Sequence, residues 1–297
     1  MSGSMFVQHL FNAVTLGSLY GLIAIGYTMV YGILRLINFA HGEIFMLGAY
    51  FVFFGISLFK LPWGIAVIGA IAASSLCGIF VDKVAYKPLR AAPRISALIS
   101  AIGVSFLIQN LAIVVFGGIP RPVYRPDWLV EVIIIGEIRL VPLAIIVPVV
   151  TLALVIGLLW IVYRTKPGLA MRAISKDIET TRLMGVSVNK IIAFTFGLGS
   201  ALAAASGIMW ALRYPQIQPF MGLVPGLKAF IAAVFGGIGS IHGAVIGGLI
   251  LGIIEIMAVA FFPQLSGYRD AFAFVLLIII LLFKPTGLMG EKLEDKI

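Results

Sequence analysis

Residues 141–162 read VPLAIIVPVVTLALVIGLLWIV, residues 163–190 read YRTKPGLAMRAISKDIETTRLMGVSVNK, and residues 191–212 read IIAFTFGLGSALAAASGIMWAL. Two apolar runs, each long enough for a membrane span of about 20 residues, enclose one polar, amphipathic insert. The insert holds six of the chain's 21 basic residues, together with Asp177 and Glu179. Ser175 is placed to N-cap a helix over 175–184. Asp177 and Glu179 then fall in its first turn, where the helix dipole favours anions, and Gly185 falls where a left-handed C-cap is wanted. Met171, Ile174, Ile178 and Thr181 recur at three- and four-residue spacing and form one apolar face. A short capped helix between two spans is predicted to dock into a groove on another protein. The chain reads as the membrane half of a machine whose motor lies elsewhere.

Outward from this insert the apolar half of the pattern recurs. Nine apolar segments stand at about 6–33, 44–59, 63–81, 95–116, 141–162, 191–212, 223–238, 244–262 and 270–283. The chain is 61% hydrophobic and 11% charged, against about 45–50% and 25% in soluble proteins. The runs are continuous rather than alternating every second residue, which excludes a β-barrel. The expected fold is an all-α polytopic membrane protein, one permease domain over 1–297. Segments 44–59, 223–238 and 270–283 are short, so eight or nine transmembrane helices are expected, some short, broken or re-entrant. The first 34 residues contain no Lys, Arg, Asp or Glu, and that run is too long for the apolar part of a cleaved signal. The single cysteine, Cys77, excludes an intrachain disulfide. The net charge of +9 belongs to loops facing lipid headgroups, not to nucleic-acid binding.

Basic residues set the orientation. With the N-terminus outside, the inner loops carry Arg35, Lys83, Lys87, Arg90, Arg94, the six of 163–190, and Lys284, Lys292 and Lys296. The outer loops carry Lys60, Arg121, Arg125, Arg139, Arg213 and Arg269. Fourteen against six satisfies the positive-inside rule and places the C-terminus in the cytoplasm. Outer loop 117–140 holds Pro120, Pro122 and Pro126, and EVIIIGEIRL (131–140) is expected to form a hairpin around Gly136. It is either a landing surface for a soluble partner or a plain connector.

Inside the membrane, glycine dominates. In FGGIGSIHGAVIGGLILGIIE (235–255), Gly239, Gly243 and Gly247 repeat every fourth residue, as do Gly248 and Gly252. Small residues at that spacing let helix backbones approach closely. The glycines around Ser240 and His242 also read either as packing alone or as a helix break lining a solute route. A second break, LRLINFAHGEIF (34–45), holds Asn38, His41 and Glu43. Each break carries a His-Gly pair ahead of a helix running outward, and broken segments in corresponding halves point to a transport pathway. Asn12, Gln109, Asn110 and Glu255 also lie within spans. An ionised acid at the bilayer centre costs about 2.5–3.5 kcal/mol on insertion scales, so Glu255 faces either protein or a pathway. The three histidines share no ligand spacing, which excludes a metal site. No Gly-Lys dipeptide occurs, so this chain has no phosphate-binding loop for ATP. GGIGSIHG fails the dinucleotide fingerprint because His242 stands where its last glycine belongs. No cofactor is implied.

INFAHGEIFMLGAY (37–50), GLAMRAISKDIETTRLMGVSVNKI (168–191) and AAVFGGIGSIHGAVIGGLILGIIE (232–255) together resemble the permease subunits of bacterial high-affinity branched-chain amino acid ABC transporters, the LivH type. The likeness covers nearly the whole chain in order. It implies an inner-membrane location, a second permease subunit (a heterodimer), two cytoplasmic ATPase subunits and a periplasmic substrate-binding protein. In ABC permeases a loop reading Glu-Ala-Ala, three residues, then Gly contacts the ATPase. Glu179, Thr180, Thr181 and Gly185 hold that spacing here, so the resemblance implies ATPase coupling through Ser175, Asp177, Ile178, Glu179, Thr180, Thr181, Met184 and Gly185. The sequence departs from that loop's Ile-x-Leu-Pro ending, which here reads Thr195-Phe196-Gly197-Leu198. The rival from another class is a secondary transporter with Glu255 or Glu43 as the coupling acid. On substrate, the competitors are urea, amide and sugar permeases.

Overall fold

The structure is a computed structural model that describes residues 3–90 and 92–290. Every apolar segment is helical. In chain order the helices are α1 (Gly3–Leu34), α2 (His41–Ser57), α3 (Trp63–Val81), α4 (Arg94–Phe116) and α5 (Leu143–Arg164). Then follow α6 (Lys166–Lys176), α7 (Ile178–Leu183), α8 (Val188–Arg213), α9 (Leu223–Gly236), α10 (Ile241–Phe261) and α11 (Arg269–Phe283). Seven stretches are long and apolar enough to cross a membrane; α2 and α9 are shorter. At 1.5 Å per residue α2 extends about 25 Å and α9 about 21 Å, below the ~30 Å hydrocarbon thickness.

The two short helices meet at their N-termini. A Cβ on Gly42 would stand 2.7 Å from the Gly222 carbonyl, and one on Gly226 3.1 Å from the Gly42 Cα. The His41 ring lies against Gly26, eight residues before the end of α1. Eight helical residues are about 12 Å, so segment 35–40 doubles back beside α1 instead of continuing past it. Arg35 makes the reversal with φ +56°.

α1 is the central post, in contact with α5, α8, α9 and α10. Its Gly17 and Gly21 face Gly252 and Gly248 of α10, while Gly243 and Gly247 of α10 face Gly236 and Ala232 of α9. Lipid is as apolar as leucine, so helices associate here through close backbone approach and dispersion. α10 is unbroken from Ile241, so the break expected around Ser240 and His242 falls on the Ser240 side and His242 lies inside the helix. The interruption lies just before it, where Gly237 and Gly239 adopt φ +109° and +100°. Gly239 is therefore a turn glycine with open space around it, not a packing one. The Ser240 hydroxyl N-caps α10 by accepting from the Gly243 N–H at 3.1 Å.

At one end of the bundle, β2 (Ile133–Ile135) pairs antiparallel with β3 (Ile138–Leu140), and Gly136 turns the hairpin at φ +63°. Loop 117–140 is also anchored, because β1 (Arg121–Pro122) pairs with β4 (Gln216–Ile217) beyond α8. At the other end, Leu288 and Met289 N–H groups donate to the Phe235 and Gly236 carbonyls at 2.9 and 2.8 Å. Lys292 and Lys296 lie outside the described residues.

The polar insert departs from its expected shape. Thr165 caps α6, accepting from the Gly168 N–H at 3.3 Å, and Ser175 sits inside that helix with its hydroxyl donating to the Arg172 carbonyl at 2.7 Å. Asp177 breaks the backbone at φ −156° and N-caps α7. Its Oδ1 accepts from the Glu179 and Thr180 N–H groups at 2.9 and 3.2 Å, and its Oδ2 from the Thr180 hydroxyl at 2.7 Å. A charged acceptor reaching two amides outcompetes a hydroxyl already spent within its own helix. The single helix 175–184 is thus two helices. Their apolar face also turns inward: Met171, Ile174 and Thr181 are buried and Ile178 packs against the core. The most exposed large apolar side chains of the insert are Leu183 at 86% and Met184 at 79%, followed by Gly185 at φ +81°.

Candidate functional site

Lys228 and Glu255 are ionisable groups on α9 and α10, helices composed, apart from His242 in the first turn of α10, of apolar and small residues. Each is expensive to bury alone, and an unpaired buried charge costs several kcal/mol, so they persist only with partners. The fold brings them together. Lys228 Nζ lies 2.8 Å from Glu255 Oε1 and 2.5 Å from Asp270 Oδ1. Arg269 Nε lies 2.5 Å from the same Glu255 oxygen. On the other side, the Tyr20 hydroxyl of α1 donates to Glu255 Oε2 at 3.0 Å. Two cations and two anions from three helices thus form one neutral cluster. It lines an open cavity of about 410 Å³, with Trp210 and Tyr214 at its wall.

A second polar centre surrounds Glu43. Its Oε1 accepts from Ser105 Oγ at 3.0 Å and Gln109 Nε2 at 2.6 Å, both from α4. Oε2 has no partner among the described residues, and a gap of about 50 Å³ adjoins it between Tyr27, Gly222 and Gly226. First-turn placement on α2 suits a carboxylate, since the helix N-terminus is partially positive.

The eight expected pathway residues therefore separate. Glu43 and Gln109 are bonded to each other; Glu255 belongs to the other centre. Asn38 is buried but accepts from the Tyr86 hydroxyl at 2.8 Å, and His41 packs on α1 against Gly26 and the Tyr27 ring. Asn110 sits on the exposed side of α4 with its amide donating to the Phe106 carbonyl at 2.7 Å. Ser240 is a cap. His242 is exposed, 6.3 Å from the Tyr163 ring, so the two His-Gly pairs occupy unlike surroundings. Lys228, Arg269, Asp270 and Tyr20 were not expected. Lys228 did carry a signal, because a lone lysine in an apolar run demands an acid nearby. Arg269 read as outer loop, and Asp270 stood at the first position of segment 270–283, where the edge of an apolar run gives no sign of a partner.

The family described as the permease component of the branched-chain amino acid transport system matches residues 9–281. The high-affinity branched-chain amino acid transport system permease protein BraD of Pseudomonas aeruginosa is 41% identical, covering 98% of each chain. The LivH proteins of Salmonella typhimurium and Escherichia coli K12, described in the same words, are 40% identical, also over 98% of each chain.

Proposed function

This chain belongs to the branched-chain amino acid transport system permease family, and from that premise we propose how it works. It is the multi-pass permease subunit of an ABC importer for branched-chain amino acids. Two cytoplasmic ATPases, a second permease and an external binding protein complete the machine. The observation that carries the coupling role is the exposed apolar pair Leu183–Met184. It projects from a segment rich in Arg and Lys, on the side that the charge distribution assigns to the cytoplasm. An apolar tip in water is an anchor for a partner. Asp177, Glu179, Thr180 and Thr181 hold α7 in shape beneath that tip, and Gly185 ends it. ATP binding in the partner subunits moves α7, and α6 passes the motion to α1, α5 and α8, which it touches.

Proteoliposomes holding both permeases and the ATPases, supplied with binding protein, take up leucine, isoleucine and valine only with ATP. Labelled urea and ribose stay outside. Uptake that follows a proton or sodium gradient with the ATPases omitted identifies a secondary transporter instead. Orientation has its own test. Cysteines replacing Lys87, Lys190 and Asp127, all exposed, are introduced singly in a Cys77→Ala chain and probed with an impermeant thiol reagent. In sealed cells only the third is modified from outside; external modification at position 190 reverses the assigned topology.

A further inference from the structure

We infer that the cavity at the junction of α1, α9, α10 and α11 binds the zwitterionic head of an α-amino acid. The carboxylate sits on Lys228 and Arg269 and the ammonium on Asp270. This rests on the importer reading above and names the recognition site within the permease. The four charges are not equivalent. Glu255 is buried, accepts hydrogen bonds from Tyr20 and Lys228 and is ion-paired with Arg269, so it is a fixed counter-charge. Asp270 is 58% exposed at the open side, with Lys228 as its ion-pair partner. The Lys228–Asp270 pair is the one that can open.

Insertion of a zwitterion exchanges that ion pair for two others. Its carboxylate replaces Asp270 on Lys228, its ammonium takes the released Asp270, and the net charge of the site is unchanged. A lone amine or lone acid adds an uncompensated charge to an already neutral cluster whose Lys228 and Glu255 are buried, and it is disfavoured there. The cavity therefore rejects single charges by the arithmetic of the cluster. Phe220, Met221, Val224, Pro225 and Trp210 supply apolar wall for the side chain. A volume of about 410 Å³ lies in the range of about 300–1,000 Å³ typical of small-ligand pockets. It opens beside Tyr214 and the start of α11, on the face that the orientation assigns to the outside.

The test uses the assembled complex of both permeases and the ATPases, without nucleotide or binding protein. Val224→Cys in a Cys77→Ala chain places a thiol on the cavity wall, and its reaction with an uncharged maleimide is timed. L-Leucine slows the reaction about tenfold at saturation, whereas 4-methylpentanoate and 3-methylbutylamine change it less than about twofold. Asp270→Asn leaves Lys228 paired with Glu255, so the complex still assembles. It raises the half-protecting leucine concentration about tenfold, and Asp270→Glu restores it. Unchanged labelling up to the solubility of leucine overturns the proposal. So does equal protection by the amine or the acid, or full protection with Asp270→Asn; the cluster is then only a tie between α9 and α11. Protection is read without ATP or transport, so failure of the importer reading in vesicles leaves this result separately legible.

Discussion

Replacing Gly252 or Gly248 with leucine empties the membrane of folded permease, whereas Gly69→Leu and Gly157→Leu leave its amount unchanged. At position 252 even a Cβ collides with the Gly17 backbone and stands 2.7 Å from the Ala13 carbonyl. At position 248 it collides with the Gly21 backbone and stands 2.9 Å from the Gly17 carbonyl. Backbone atoms of a central helix cannot swing aside as a side-chain tip can. Ordinary core overpacking costs about 1–3 kcal/mol, and here α1 must separate from α10 along a shared seam. Gly69 and Gly157 have nothing within 4 Å of an added Cβ, so a side chain there starts into open space instead of a neighbouring helix. Yield of monodisperse protein after mild detergent extraction is the measurement, with a fall of about tenfold or more expected at 248 and 252. Normal yield of Gly252→Leu means that α1 and α10 are not in backbone contact.

Leu183→Asp with Met184→Asp abolishes uptake while the permease remains at full level in the membrane. Both side chains are exposed, so the folded chain loses no buried contact. A partner groove, by contrast, must desolvate two carboxylates, and removing central apolar anchors costs interfaces about 2 kcal/mol or more each. ATPase subunits no longer co-purify, or their hydrolysis no longer responds to loaded binding protein. Ile178→Asp behaves differently: because Ile178 packs against the core, it lowers the amount of permease before it affects coupling. Retained ATPases and normal uptake in the double aspartate variant remove the coupling role from α7.

The sequence determined by itself what depends on composition and local spacing. Nine apolar runs became nine helices because an isolated backbone in lipid satisfies its own hydrogen bonds only that way. Gly136 and Gly185 marked real turns, since a positive φ is a property of one residue and its neighbours. The glycine spacing in 243–252 announced close packing, but not that one helix would serve two neighbours, Gly248 and Gly252 towards α1 and Gly243 and Gly247 towards α9.

Only the tertiary structure decided three further things. Asp177 rather than Ser175 caps the coupling segment, because Ser175 is already inside α6. The amphipathic face of that segment is spent on the chain's own helices, since amphipathicity states that a face is covered and not by what. Glu255 found Lys228, Arg269, Asp270 and Tyr20 across four helices and more than two hundred residues of sequence, from Tyr20 to Asp270. Coulomb attraction acts over ångströms in space and is blind to separation along the chain. A sequence can thus say that a buried charge needs a partner, and only the fold says which one it has.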